Sequence, residues 1–282
     1  MLFMIKNLVE NTGLSMQNDS HYLRLLRGIK AKLFFFISLL FIWTGLTTAG
    51  QAATFNVNSP ADEADTNISD GVCQTASNHC SLRAAIQTAN ASPNATDAQG
   101  TEQPDVINLP ANTYTLTIGG TDEDQAATGD LDITDSVNIV GAGSGSTVID
   151  GNNLDRVFHI VQTGIAVVIS NVTIEKGHLD GGLGGGLFNN GGTVSIVDSA
   201  ITNNSLTDSS TSPIVSAGGG VFSNGTLNLN GVTLSNNTVD VNHFDTTGGG
   251  GGGGVYSTGV LRLENSIVDG NQVINDGGDN NG

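Results

Sequence analysis

The sequence predicts an all-β protein, a right-handed parallel β-helix with a short N-terminal capping helix, and three observations carry that expectation. The first is a repeat: GGGLFNN begins at Gly184, GGGVFSN at Gly218 and GGGVYST at Gly252, each 34 residues after the last. Self-similarity at a fixed period marks stacked structural units. The second lies inside each unit. Val194/Ile196 then Ile201, Leu227/Leu229 then Leu234, and Leu261/Leu263 then Val268 are short apolar patches with period-two alternation, preceded by a degenerate copy at Val157-Phe158, Val167/Ile169 and Val172/Ile174. Such patches are strands, not helices. The third is what separates them. Asn171, Asp198, Gly231 and Asn265 recur at one offset, and these residue types tolerate the left-handed backbone of a tight corner.

Composition agrees: 39 glycines and only 13% charged residues suit short strands joined by many turns. Helical repeats of the same length exist, but three consecutive glycines per unit would cost a helix about 1 kcal/mol each relative to alanine. A propeller blade needs four strands in about 40 residues, and these units offer three. A coil of three strands, stacked on its neighbours in parallel, satisfies the backbone between turns and leaves aliphatic side chains in inward columns.

From the N-terminus, residues 1–52 read as a secretory signal with a long positive region. Arg24, Arg27, Lys30 and Lys32 precede Leu33–Leu46, an apolar run of 14 residues, and small residues follow from Thr47 to Ala53. A bilayer span needs about 20 apolar residues, so export with cleavage after Ala52 is expected, and no stable membrane span in the mature chain. Cys73 and Cys80 are the only cysteines. In an oxidising compartment they should pair as a disulfide.

In the segment that follows Cys80, Leu82, Ala85, Ile86 and Ala89 form one apolar stripe on a short helix, with Ser81 as its cap and Asn90 and Pro93 as its stop. A helix so short must dock on something, and the open end of a stacked sheet is the natural place. Residues 53–103 are therefore expected to form the cap and residues 104–282 the β-helix, with regular repeats from 184 and a further continuation beyond Gly282.

Cys80-Ser81-Leu82-Arg83-Ala84-Ala85-Ile86 resembles the CSLREA motif found near the mature N-terminus of secreted bacterial β-helix proteins, with Ala84 where the motif has Glu. VINLPANTYTL (106–116) and TGDLDIT (128–134) also look like that family. The Gly-Gly-small-aliphatic repeats are similar to those of the polymorphic outer-membrane proteins, although Asn190 and Asn224 follow Phe188 and Phe222 by two residues where that family has three. The resemblance implies a β-helix of the pectin lyase-like kind at the cell surface or outside the cell, and no particular reaction.

About six coils fit between Val106 and Val268, or on the order of 29 Å of axis. Phe158, Phe188, Phe222 and Tyr256 are expected to stack in one column. The polar stretches 205–217 and 239–251 are expected to bulge outward between coils.

Chemistry is sparse. Beyond residue 32 the chain carries 4 basic and 25 acidic residues, a balance that repels phosphate backbones and excludes nucleic acid as a partner. No Asp-Asp pair occurs, and Gly177-His178-Leu179 lacks the second glycine of the Gly-His-Gly signature of polygalacturonases. His178, beside Asp180, reads as a solvated loop histidine. No catalytic residues are assigned, and no cofactor is expected apart from Ca²⁺. Asp122, Glu123, Asp124, Asp130 and Asp132 could wrap that ion, against which stands a simple solvated loop. The N-x-[ST] sites at Asn67, Asn94, Asn171, Asn203 and Asn236 are read as chance and corner geometry. The expectation is an exported, non-enzymatic adhesion, interaction or structural module whose partner is an unnamed surface ligand, protein or glycan. The alternative is a carbohydrate-active lyase or hydrolase with a groove on one sheet face, which needs paired carboxyl groups.

Overall fold

A computed structural model describes residues 52–275 apart from 93, 97–100, 122, 209–215 and 242–250. The expected signal at residues 1–52, all but its last residue, Asp122 of the expected Ca²⁺ set, and most of the two polar bulges lie outside the described residues.

Four parallel sheets form the walls of a β-helix. The longest has seven strands, Thr54–Asn56, Asp105–Leu109, Val137–Gly141, Ala166–Ser170, Thr193–Val197, Thr226–Asn230 and Val260–Glu264, each paired in parallel with the next. A six-stranded sheet runs from Asn112–Thr115 to Ile267–Asp269, and a five-stranded one from Leu131–Ile133 to Val255–Ser257. The fourth sheet has four strands, His178–Asp180, Ser205–Asp208, Thr238–Val241 and Gln272–Asn275.

Alternation along each strand decides what enters the core. Phe55, Ile107, Ile139, Ile169, Ile196 and Leu229 occupy one register column of the seven-stranded sheet, and all are buried. Burying such a side chain stabilises by about 1.5–3 kcal/mol. The column continues to Leu263, which is 41% exposed in the last described coil.

The corners are left-handed where expected: φ is +58° at Asn171, +47° at Asp198, +67° at Gly231 and +51° at Asn265. A second corner of the same kind holds Lys176, Asn203, Asn236 and Gly270, and a third holds Gly184, Gly218 and Gly252. At Gly218 a Cβ would also collide with the Val221 carbonyl, and one on Gly220 would strike the Gly254 carbonyl of the next coil. The glycine triplet thus serves a corner and a close approach between coils.

Helix α1 spans Leu82–Ala91, and the Ser81 side chain caps it by accepting the Ala84 N–H at 3.1 Å. Leu82, Ala85, Ile86 and Ala89 are buried in the same cluster as Phe55, Ile107 and Leu131, so α1 covers the first coil. The Cys73–Cys80 disulfide precedes it. Among the described residues no helix is long and apolar enough to cross a membrane.

Four expectations are corrected. Phe158 is not in the ring column: it pairs with Leu187 and is fully buried, while His159 pairs with Phe188. The coils before Gly184 are shorter than 34 residues, so the repeat cannot be carried back at constant spacing, and a slip of one residue exchanges inside and outside. The observed column is His159, Phe188, Phe222 and Tyr256, with centroids 4.9, 5.5 and 5.5 Å apart. Next, a repeat coil has four strands, because Ser205–Asp208 and Thr238–Val241 pair within the stretches expected to bulge. Their Leu206, Val239 and Val241 form a small apolar cluster with Leu179. His178 accordingly sits in a strand, half-buried, with Nδ1 2.9 Å from the Ser205 hydroxyl. Finally, the β-helix does not wait for residue 104: Thr54–Asn56 is already its first rung.

Buried asparagines hold successive coils together. Asn204 Nδ2 donates to Asn237 Oδ1 at 2.9 Å, and Asn237 Nδ2 to Asn271 Oδ1 at 2.9 Å. Each also donates to a backbone carbonyl of the preceding coil, Ile174 and Ile201 respectively. Both Asn204 and Asn237 are fully buried, so the ladder satisfies amides that would otherwise be costly.

Candidate functional site

Two places gather polar chemistry. The first is a seam of charged residues where α1 and the loop 117–130 meet the early coils. Arg83 lies on α1 next to the apolar stripe and is 1% exposed. Its Nε and Nη2 donate to the two carboxylate oxygens of Asp62 at 2.6 and 3.2 Å, and its remaining donors reach the carbonyls of Gly129, Ala126 and Asp130. Asp62 in turn accepts the N–H groups of Thr117 and Ile118 at 2.7 and 2.9 Å. One planar guanidinium thus ties the helix to both ends of the loop.

Arg156 plays the same part a coil later. Its Nε lies 2.6 Å from Asp130 Oδ2, Nη1 donates to the Leu183 carbonyl, and the guanidinium stands 5.5 Å from the Phe188 ring centroid. Asp130 is 5% exposed. Burial pushes its carboxyl up to about 8, with Asp132, Asp155 and Glu123 adding repulsion against the pull of Arg156. Burial raises Asp155 as well.

The residues expected to wrap Ca²⁺ divide among different tasks. Glu123 caps its own loop, accepting the N–H groups of Gln125 and Thr128. Asp130 is held by Arg156. Asp124 and Asp132 do approach each other, and the third group with them is His159, which the sequence reading did not single out. Its Nδ1 lies 3.2 Å from Asp132 Oδ1 and 3.6 Å from Asp124 Oδ1. The signal that could have found it is the triplet Phe158-His159-Ile160, whose apolar–polar–apolar order sets the strand register.

A carboxyl pushed toward neutrality beside other carboxylates has the electrostatics of an acid–base pair. The geometry is different: Asp130, Asp132 and Asp155 are 5%, 0% and 4% exposed, which leaves no room for a sugar ring between them. The seam binds the protein's own segments together.

The second place is the outward face of the seven-stranded sheet. One outward column runs Thr54, Val106, Asn138, Val168, Ser195, Asn228, Arg262, and the other Asn56, Asn108, Val140, Ser170, Val197, Asn230, Glu264. Toward its C-terminal end the face holds a shallow cleft of about 270 Å³ lined by Ser195, Val197, Asn228, Asn230, Arg262 and Glu264. Asn228 donates to the Ser195 hydroxyl at 3.3 Å, and Arg262 Nη1 to Asn228 Oδ1 at 3.4 Å. These are long, weak bonds that an incoming ligand can replace.

No family model matches this chain, and no curated protein or solved structure matches it.

Proposed function

We propose that this protein is an exported β-helix of the cell surface or surroundings that acts by binding, and that its ligand lies along the outward face of the seven-stranded sheet. The observation that carries this reading is the cleft at Ser195, Asn228, Arg262 and Glu264, open to solvent and continuous with two columns of amide and hydroxyl groups. Parallel pairing places such groups at a regular spacing of about 4.8 Å. Amides and hydroxyls with one cation and one anion suit a neutral glycan better than a polyanion. Export is supported by the Cys73–Cys80 disulfide, by the expected leader, and by the CSLREA-like segment that here forms the capping helix.

The test is binding of the untagged protein to a panel of neutral glycans and surface proteins. Asn228→Ala combined with Arg262→Ala should weaken glycan binding at least about tenfold, the loss of about 1.4 kcal/mol, with thermal stability unchanged. A panel without any ligand that responds to this pair would remove the proposal, and turnover of a glycan would establish the carbohydrate-active alternative.

A further inference from the structure

We infer that Asp124, Asp132 and His159 form an exchangeable site for a divalent transition-metal ion such as zinc. The three groups come from separate pieces of chain: the loop 117–130, the strand Leu131–Ile133 and the strand Phe158–Ile160. One ligand atom from each lies within 4.8 Å of the other two.

Two of the three are held in position by bonds that leave the ligand atoms available. Asp132 is fully buried, and its Oδ2 accepts the Ala126 N–H at 2.9 Å, so Oδ1 faces the imidazole. The His159 ring lies flat against Phe188, centroids 4.9 Å apart and planes 5° from parallel. Supporting contacts of this kind orient metal ligands in advance.

The far side of the ring is informative. His159 Nε2 is buried and has no hydrogen-bond partner. No acceptor or donor there fixes the tautomer, so nothing obliges Nδ1 to carry the proton. Without that proton the Nδ1 lone pair faces two carboxylate oxygens, an arrangement of three donors and at least two negative charges that a cation resolves. Even a protonated Nδ1 has one N–H, which reaches Asp132 and leaves Asp124 beyond hydrogen-bonding distance.

Donor type selects the ion. Calcium and magnesium take oxygen ligands almost exclusively, whereas one imidazole and two carboxylates suit zinc, cobalt, nickel or manganese. Asp124 is 67% exposed, so one side of the site opens to water. Three protein ligands and an open side make an ion that can be exchanged, unlike a closed structural zinc. The acidic surface concentrates cations around it.

The test is calorimetric titration of the untagged protein with Zn²⁺, and with Co²⁺ followed by its visible absorption. One saturable site per chain is expected, not competed by equal Ca²⁺. Asp124→Asn should weaken binding at least about tenfold, and His159→Phe at least about a hundredfold with loss of the cobalt band. The phenylalanine keeps the ring column, because Phe188 and Phe222 hold the same register position in the next coils. If His159→Phe does not fold, Asp124→Asn decides alone, since that side chain is mostly in solvent. Absence of a saturable Zn²⁺ site, affinities indifferent to Asp124→Asn, or displacement of Zn²⁺ by Ca²⁺ would overturn the inference.

Discussion

The early coils and the later ones solve the same problem with different chemistry. From Gly184 onward, coil is joined to coil by neutral groups: the ladder through Asn204, Asn237 and Asn271, the glycine corners, and aliphatic columns repeated at matching register. Around the cap, joining falls to charge. Arg83 bonds across 21 residues to Asp62 and across 43 to 47 to the loop ending at Asp130, while Arg156 holds Asp130 from the following coil. Regular coils can reuse one small set of contacts because each meets a copy of itself. The first coils meet a helix and a long loop instead, so their backbone carbonyls need donors that reach, and arginine supplies five.

That contrast can be broken experimentally. The largest effect is expected from Arg83→Met, which leaves Asp62 and three carbonyls without their buried donor and should cost about 3–5 kcal/mol. Arg262→Met, on the exposed face of the last described coil, should stay within about 0.5 kcal/mol. Denaturant titration measures both, and equal effects would refute the division of the molecule into two chemistries.

The next effect is a pH dependence confined to the seam. Asp130 has its folded value raised from 3.8 to about 8. The stability it contributes is therefore fully present below about pH 4, where folded and unfolded chains both hold the proton. It is lost as pH rises toward 8, because the unfolded chain gives the proton up first. Asp155 shifts in the same direction. Melting temperature should fall between pH 5 and about 8, and Asp130→Asn should flatten that slope. Hydrogen exchange over the same range should quicken in 105–160 more than in 193–241, and uniform quickening would sharpen the account against a local seam.

The smallest of the three belongs to the neutral ladder. Asn237→Ala removes bonds to the Ile201 carbonyl and to Asn271, and leaves the Asn204 amide without its acceptor. A loss of about 1–3 kcal/mol is expected, independent of pH between 5 and 8, and read from the same titrations.

The regular half was legible in the sequence because its period is constant. Equal spacing put Leu187, Val221 and Val255 in one column and Phe188, Phe222 and Tyr256 in another without coordinates. The corner residues were legible for the same reason, since left-handed backbone restricts residue choice strongly enough to mark each corner. Leu206 and Val239 were not, because one or two aliphatics among Ser, Thr and Asp give too short an alternation to separate a strand from a loop.

The sequence by itself determined the β-helix, the capping helix on Leu82, Ala85, Ile86 and Ala89, and the pairing of Cys73 with Cys80. Each of these depends on a local pattern or on a choice with one option. Only the tertiary structure decided that His159 and not Phe158 joins the ring column, that Arg83 is the bolt between helix and loop, and that Asp124, Asp132 and His159 converge. Those outcomes depend on the lengths of irregular coils, and an added or missing residue there turns a side chain from solvent to core without changing any motif.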